Sequence, residues 1–126
     1  MSLLHKEITE KIIKAFYEVY NELGYGFLES VYESALCIVL QKQGLLAEPQ
    51  REIDVKFRSQ VIGKYKADVV IERKVIVEIK AVRRVVPRHE AQLLNFGPDP
   101  KFKRLVFTND LKVPKPVDVE ALRRSE

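Results

Sequence analysis

Between Asp68 and Lys80 the chain reads Asp-Val-Val-Ile-Glu-Arg-Lys-Val-Ile-Val-Glu-Ile-Lys. Its Val and Ile content, broken by a charged turn, reads as a β-hairpin. Strand interiors rarely carry Glu and Lys two residues apart on one face without a use for them. Asp68, Glu78 and Lys80 together could hold a divalent cation and position a water beside it, the equipment of metal-assisted phosphodiester hydrolysis. In a strand over residues 75–82, alternation places Ile76, Glu78, Lys80 and Val82 on one face, and Val75, Val77, Ile79 and Ala81 on the other. Whether Asp68 joins Glu78 depends on the register. A two-residue turn at Arg73-Lys74 pairs Asp68 with Ile79 and sends it to the opposite face. A three-residue loop, Glu72-Arg73-Lys74, puts Asp68 opposite Glu78. The metal reading requires the second register, or a bulge of the same effect. Converged carboxylates are hard ligands of the kind Mg²⁺ or Mn²⁺ takes, and their mutual repulsion favours a cation between them. The plain alternative is a hairpin edge with solvated charges.

The elements that would position these residues follow from periodicity. Leu4, Ile8, Ile12, Ala15, Phe16, Val19 and Leu23 form a helical stripe, and Gly24 can end that helix in a left-handed conformation. A second helix is predicted over about 28–43, with Gly44 as its stop. Residues 53–58 alternate as a half-exposed strand, 60–63 read as a turn, and 65–71 and 75–82 as two further strands. A short helix is predicted over 88–95, broken by Phe96-Gly97-Pro98-Asp99-Pro100, and a last strand over 102–107. From Lys112 onward Pro114 and Pro116 suggest a linker ending in a short helix or a frayed end. The expectation is one domain over 1–111 with a C-terminal tail over 112–126. Its class is α/β (α+β), with the order ααβββαβ.

Composition sets the outer bounds. The chain has 126 residues, room for one domain, and is 46% hydrophobic and 32% charged, a globular balance. No apolar run reaches the length of a membrane span, and the N-terminus carries no basic segment followed by an apolar one. Cys37 is the single cysteine, which leaves no internal disulfide or multi-cysteine zinc site; a buried structural thiol is expected. These features favour the cytoplasm. The formal charge is +4. Residues 1–80 balance, so the excess falls beyond Lys80, first at Arg83, Arg84 and Arg88, then at Lys101, Lys103 and Arg104. A polyanion would be drawn to that side.

A second motif is Gly26-Phe27-Leu28-Glu29-Ser30-Val31-Tyr32, which matches Gly-x-x-Glu-x-x-Tyr. With Asp68…Glu78-x-Lys80 and His89-Glu90-Ala91-Gln92-Leu93-Leu94-Asn95, the chain resembles the GxxExxY family over about residues 5–108. That family is placed in the PD-(D/E)XK nuclease superfamily. The resemblance implies a restriction-endonuclease-like domain in which Asp68 and Glu78 bind the metal, helped by the carbonyl of Ile79. Lys80 would serve the nucleophilic water, Glu29 would add a carboxylate or hold a second metal's water, and Gln92 would line the site. Tyr32, one turn beyond Glu29, could hydrogen-bond into the cluster or simply be a core aromatic. Glu29 also lies where the helix dipole favours an acid regardless of catalysis.

The chain departs from the family pattern after Asn95. Gln92-Leu93-Leu94-Asn95 joins directly to Phe96-Gly97, so one core strand and part of a helix, on the order of a dozen residues, read as missing. Losing a core strand uncovers the sheet edge beside it. The sheet could close with one strand fewer, residues 102–107 could take the vacant place, or a second chain could cover it as a homodimer. The leading expectation is a Mg²⁺- or Mn²⁺-dependent nuclease acting on DNA or RNA, with the basic stretch holding the backbone and no membrane partner. The alternatives are a catalytically silent nucleic-acid-binding module and a protein-interaction or assembly domain.

Overall fold

The computed structural model describes residues 5–80, 102–108 and 116–118. Helix α1 (Lys6–Leu23) buries Ile12, Ala15, Phe16 and Val19 of the expected stripe, and Tyr20 beside them. Gly24 ends it at φ 76°, its N–H donating to the Tyr20 carbonyl at 2.7 Å. Helix α2 (Glu29–Lys42) stops at Gly44, where φ is 81°. The Gly44 N–H donates to the Gln41 carbonyl at 3.0 Å and the Leu45 N–H to the Leu40 carbonyl at 3.1 Å. This paired closure satisfies carbonyls that the last turn would otherwise leave open. Cys37 is buried on α2, and burial raises its thiol pKa, as befits an inert packing residue.

Five strands follow, β1 (Ala47–Phe57), β2 (Gln60–Ile71), β3 (Val75–Lys80), β4 (Lys103–Thr108) and β5 (Pro116–Asp118), and they lie in that order in one sheet. All neighbours are antiparallel except β3 and β4, which run parallel. A parallel pair needs a connection of about a dozen residues or more, and residues 81–102 supply the length. The class is therefore the expected α/β (α+β) one, helices first and a mixed sheet after. β3 is the middle strand and is buried from Val75 to Ile79. Burial on both faces explains its nearly unbroken apolar run.

The helices pack on one face of the sheet. There Phe16, Tyr32, Leu36 and Leu40 meet Val69, Ile71, Val75, Val77, Ile79, Leu105 and Phe107. Phe16 stacks on Phe107 with centroids 4.1 Å apart, slightly closer than the range of about 4.5–7 Å favoured for aromatic pairs. On the other face Ile53, Ala67, Val70 and Ile76 cluster with Tyr65 and Phe102.

Three details differ from the sequence expectation, and a fourth decides between its alternatives. β1 begins at Ala47 rather than at residue 53, because as an edge strand it tolerates Pro49 and the polar residues around it. The turn before β2 is at Arg58 and Ser59, both at positive φ, and not over 60–63. Gly63 sits inside β2 beside a register shift at Val55/Lys56; a glycine marks a bulge as readily as a turn. Part of the expected tail forms β5, whose Pro116 lies at the first residue of an outer strand, where proline costs no ladder bond. Finally, β4 lies directly against β3, so the strand over 102–107 takes the place beside it. The helix expected over 88–95 lies outside the described residues.

Candidate active site

The hairpin joining β2 to β3 has the required register. Ile71 pairs with Val75, Val70 with Ile76 and Val69 with Val77, leaving residues 72–74 as a three-residue connection. Glu72 and Arg73 both take positive φ, and the Lys74 N–H donates to the Ile71 carbonyl at 3.0 Å. Continued by one step, this register sets Asp68 across from Glu78.

The ladder stops at that step. Beyond Val69–Val77, the Ile79 N–H donates at 3.1 Å to Asp68 Oδ2, a side-chain acceptor in place of a backbone carbonyl. The pleat breaks at the same level. Ala67 and Val70 belong to the outer cluster while Val69 and Ile71 belong to the helix-facing one; strict alternation would keep 67 with 69. The partner strand shows the same fault, with Gln50 at φ 53° between the pairs Pro49–Val69 and Arg51–Ala67. Asp68 is thus held in the strand gap against the backbone of the Glu78-Ile79-Lys80 tripeptide.

Its electrostatic surroundings come from α2 and from Lys80. Burial raises the Asp68 pKa; the Ile79 N–H and Lys80 oppose this, and Glu29 adds to it. Glu33 is buried one helical turn beyond Glu29, and its pKa is raised too, first by burial and then by Asp68. The amide of Gln50 donates to Glu33 Oε2 at 3.1 Å. Glu29, Glu33, Asp68 and Lys80 therefore make one charged neighbourhood, three acids and a base, in which neighbouring acids make ionisation of Asp68 and Glu33 harder.

Glu78 has a different partner. Its Oε1 accepts from Arg104 Nη2 at 2.8 Å, with side chains only 3% and 5% exposed. The same guanidinium nitrogen donates to the Tyr65 hydroxyl at 3.0 Å, and the group lies 5.1 Å from the Tyr65 ring centroid. Glu78 follows Ile76 onto the outer face, so the expected register is present while Asp68 and Glu78 turn to separate partners. The physical reason is the break in the pleat at Asp68. Among the described residues, no group of three or more His, Cys, Asp or Glu side chains is arranged to hold a metal ion.

The remaining candidates divide. Tyr32 is fully buried, and its hydroxyl donates to the Gly24 carbonyl at 2.6 Å and accepts from the Phe27 N–H at 3.4 Å. The tyrosine of the Gly-x-x-Glu-x-x-Tyr motif thus pins the connector that delivers Glu29 to the start of α2. Ile79 enters through its N–H. Gln92, Arg83, Arg84 and Arg88 lie outside the described residues. Lys103 and Arg104, counted with the basic stretch, are buried in β4, so a polyanion cannot use them.

Glu33 and Arg104 were not among the sequence candidates. Glu33 had a signal, since four residues separate it from Glu29 and place both on one helix face. Arg104 had none, because nothing local pairs it with a residue twenty-six positions earlier.

A family model described as the PD-(D/E)XK nuclease superfamily matches residues 6–104. No curated protein matches the chain, and no solved structure does.

Proposed function

The chain belongs to the PD-(D/E)XK nuclease superfamily, and from that premise we propose that it is a divalent-metal-dependent nuclease of the GxxExxY type. Helices followed by a mixed sheet are consistent with a restriction-endonuclease-like fold. The observation that carries the proposal is the bond from the Ile79 N–H to Asp68. It ties the lone acid of β2 to the Glu-x-Lys tripeptide of β3, and Glu29 and Lys80 lie within its electrostatic reach.

In this reading Asp68 and Glu78 would hold Mg²⁺ or Mn²⁺, with Glu29 adding a third carboxylate, once Glu78 had turned from the outer face toward Asp68. Carboxylate oxygens are the hard donors such an ion takes. Glu78 fits only once Arg104 has let it go. When bound, the ion supplies positive charge to the phosphate and acidifies a coordinated water. Lys80 hydrogen-bonds the attacking water and steadies the charge growing on the phosphate oxygens. Glu29 orients the water from the helix side, and Gln92 lines the site. The substrate is DNA or RNA, and the superfamily's chemistry leaves a 5′-phosphate.

A second reading is favoured by the Glu78–Arg104 pair itself. If that pair never opens, the domain binds nucleic acid without cutting it. The test incubates purified protein with single-stranded DNA, duplex DNA and RNA, with Mg²⁺, with Mn²⁺ and with chelator. Cleavage that requires metal and is lost in Asp68→Ala and in Lys80→Ala supports the nuclease. Binding without cleavage by a folded protein supports the silent module.

A further inference from the structure

We propose that the outer half of the β1–β2 hairpin is an arm that enters the major groove of duplex DNA, making that duplex the substrate of the nuclease proposed above; the inference rests on that reading. Only Val69, Val70 and Ile71 of β2 pair with β3, whereas β1 and β2 stay paired out to Phe57–Gln60. Past the level of Lys80 the described sheet is therefore a two-stranded ribbon, and Asp68 stands near its base. Every residue from 56 to 64 is exposed.

The ribbon's end combines apolar and cationic side chains. Phe57, Val61 and Ile62 are 59%, 52% and 66% exposed, and the Arg58 guanidinium lies 5.2 Å from the Phe57 ring centroid. Lys56, Arg58 and Lys64 are there, and residues 56–64 contain no acid. Closer to the sheet the acids are answered, with Asp54 paired to Lys64 and Glu52 across from Lys66. Residues 1–80 balance overall, so the excess at the tip is local.

Charge decides the occupant. A second copy would bring the same cations to the tip, whereas a phosphate backbone complements them. Shape narrows it further. The B-form major groove is about 12 Å wide and admits a two-stranded ribbon, while the A-form major groove of RNA is too deep and narrow for side chains to read. From Asp68 to Ser59 the strand spans up to about 30 Å at roughly 3.3 Å per residue. The tip then meets the duplex roughly one helical turn, about 10 base pairs, from the cleaved phosphate.

The test is fluorescence anisotropy on DNA and RNA duplexes of about 30 base pairs, about three helical turns, in chelator, across about 50 to 200 mM salt. Wild type, Lys56→Ala/Arg58→Ala, Phe57→Ser/Ile62→Ser and Asp68→Ala are compared, with melting temperatures as the fold control. The arm predicts DNA preferred over RNA. It also predicts a log–log salt slope about 2 units shallower in Lys56→Ala/Arg58→Ala, from about 0.9 per lost phosphate contact. Phe57→Ser/Ile62→Ser should weaken binding at unchanged slope, and Asp68→Ala should leave the arm's contribution in place. Wild-type binding with an unchanged slope in Lys56→Ala/Arg58→Ala, or equal arm-dependent binding of RNA, overturns the arm and leaves the nuclease reading standing. No wild-type binding to either duplex overturns the arm, and the nuclease reading then stands or falls on the cleavage test with metal. Self-association without DNA that Phe57→Ser/Ile62→Ser abolishes makes a second copy the occupant and overturns the arm.

Discussion

Glu78 and Arg104 are the residues on which structure and chemistry compete. A buried ion pair costs desolvation on both sides, and removing one partner leaves an uncompensated charge worth about 3–5 kcal/mol. Arg104→Ala should therefore lower stability by about 3 kcal/mol in denaturant titration. Glu78→Leu combined with Arg104→Met should return it to within about 1 kcal/mol of wild type, since replacing both members is often neutral. If the single and double variants are equally unstable, the pair is not what holds β3 to β4 on the outer face. At Glu33 the expected signature is pH dependence. Its folded pKa is raised, chiefly by burial and by Asp68, so its contribution is fully present below the unfolded value and is lost as pH rises through the folded one. Glu33→Gln should then gain in melting temperature relative to wild type at pH 7 compared with pH 4, in chelator. An identical difference at both pH values would contradict the raised pKa. Neither residue was legible as a partner beforehand. An arginine in a basic stretch reads as solvent-facing, and only the parallel pairing of β4 with β3 buries it against Glu78.

At the scale of elements, the β2–β3 connection is legible because alternation and loop length constrain each other. Only an odd-length loop sets the two acids across from one another, and residues 72–74 provide it. The pleat break was not legible, since nothing in Ala67-Asp68-Val69 announces that two successive residues will escape alternation. Glu72 and Arg73 hold positive φ without being glycine or asparagine, a cost of roughly 1 kcal/mol each. Glu72→Asn with Arg73→Gly, the pair that a left-handed hairpin turn prefers, should raise stability by about 1 kcal/mol. The exposed Arg73–Glu48 pair it removes is worth little. A loss of stability on this substitution would mean that the loop's charges outweigh its backbone strain. Both helices were legible nearly to their ends because stripe and stop glycine agree. β1 was not, because its first half is the polar edge of a sheet rather than an alternating strand.

At the scale of the molecule, β4 beside β3 and β5 beyond it cover the side of the sheet where a strand reads as missing. A second chain is then not required for that purpose, and light scattering over a range of concentrations tests whether a homodimer forms all the same. The proposed site draws on several elements at once. α2 brings Glu29 and Glu33 to the sheet, the broken pleat brings Asp68 to the Ile79 N–H, and the central strand carries Glu78 and Lys80. The most direct measurement is the rate at which purified wild-type protein nicks supercoiled plasmid DNA in Mn²⁺, beside Asp68→Ala and Lys80→Ala proteins of unchanged circular dichroism. The account predicts nicking by wild type, none in chelator, and a loss of at least about 100-fold in each variant, the scale of a removed acid–base or electrostatic group. Equal rates in wild type and variants, or no nicking by a folded wild type, would contradict it.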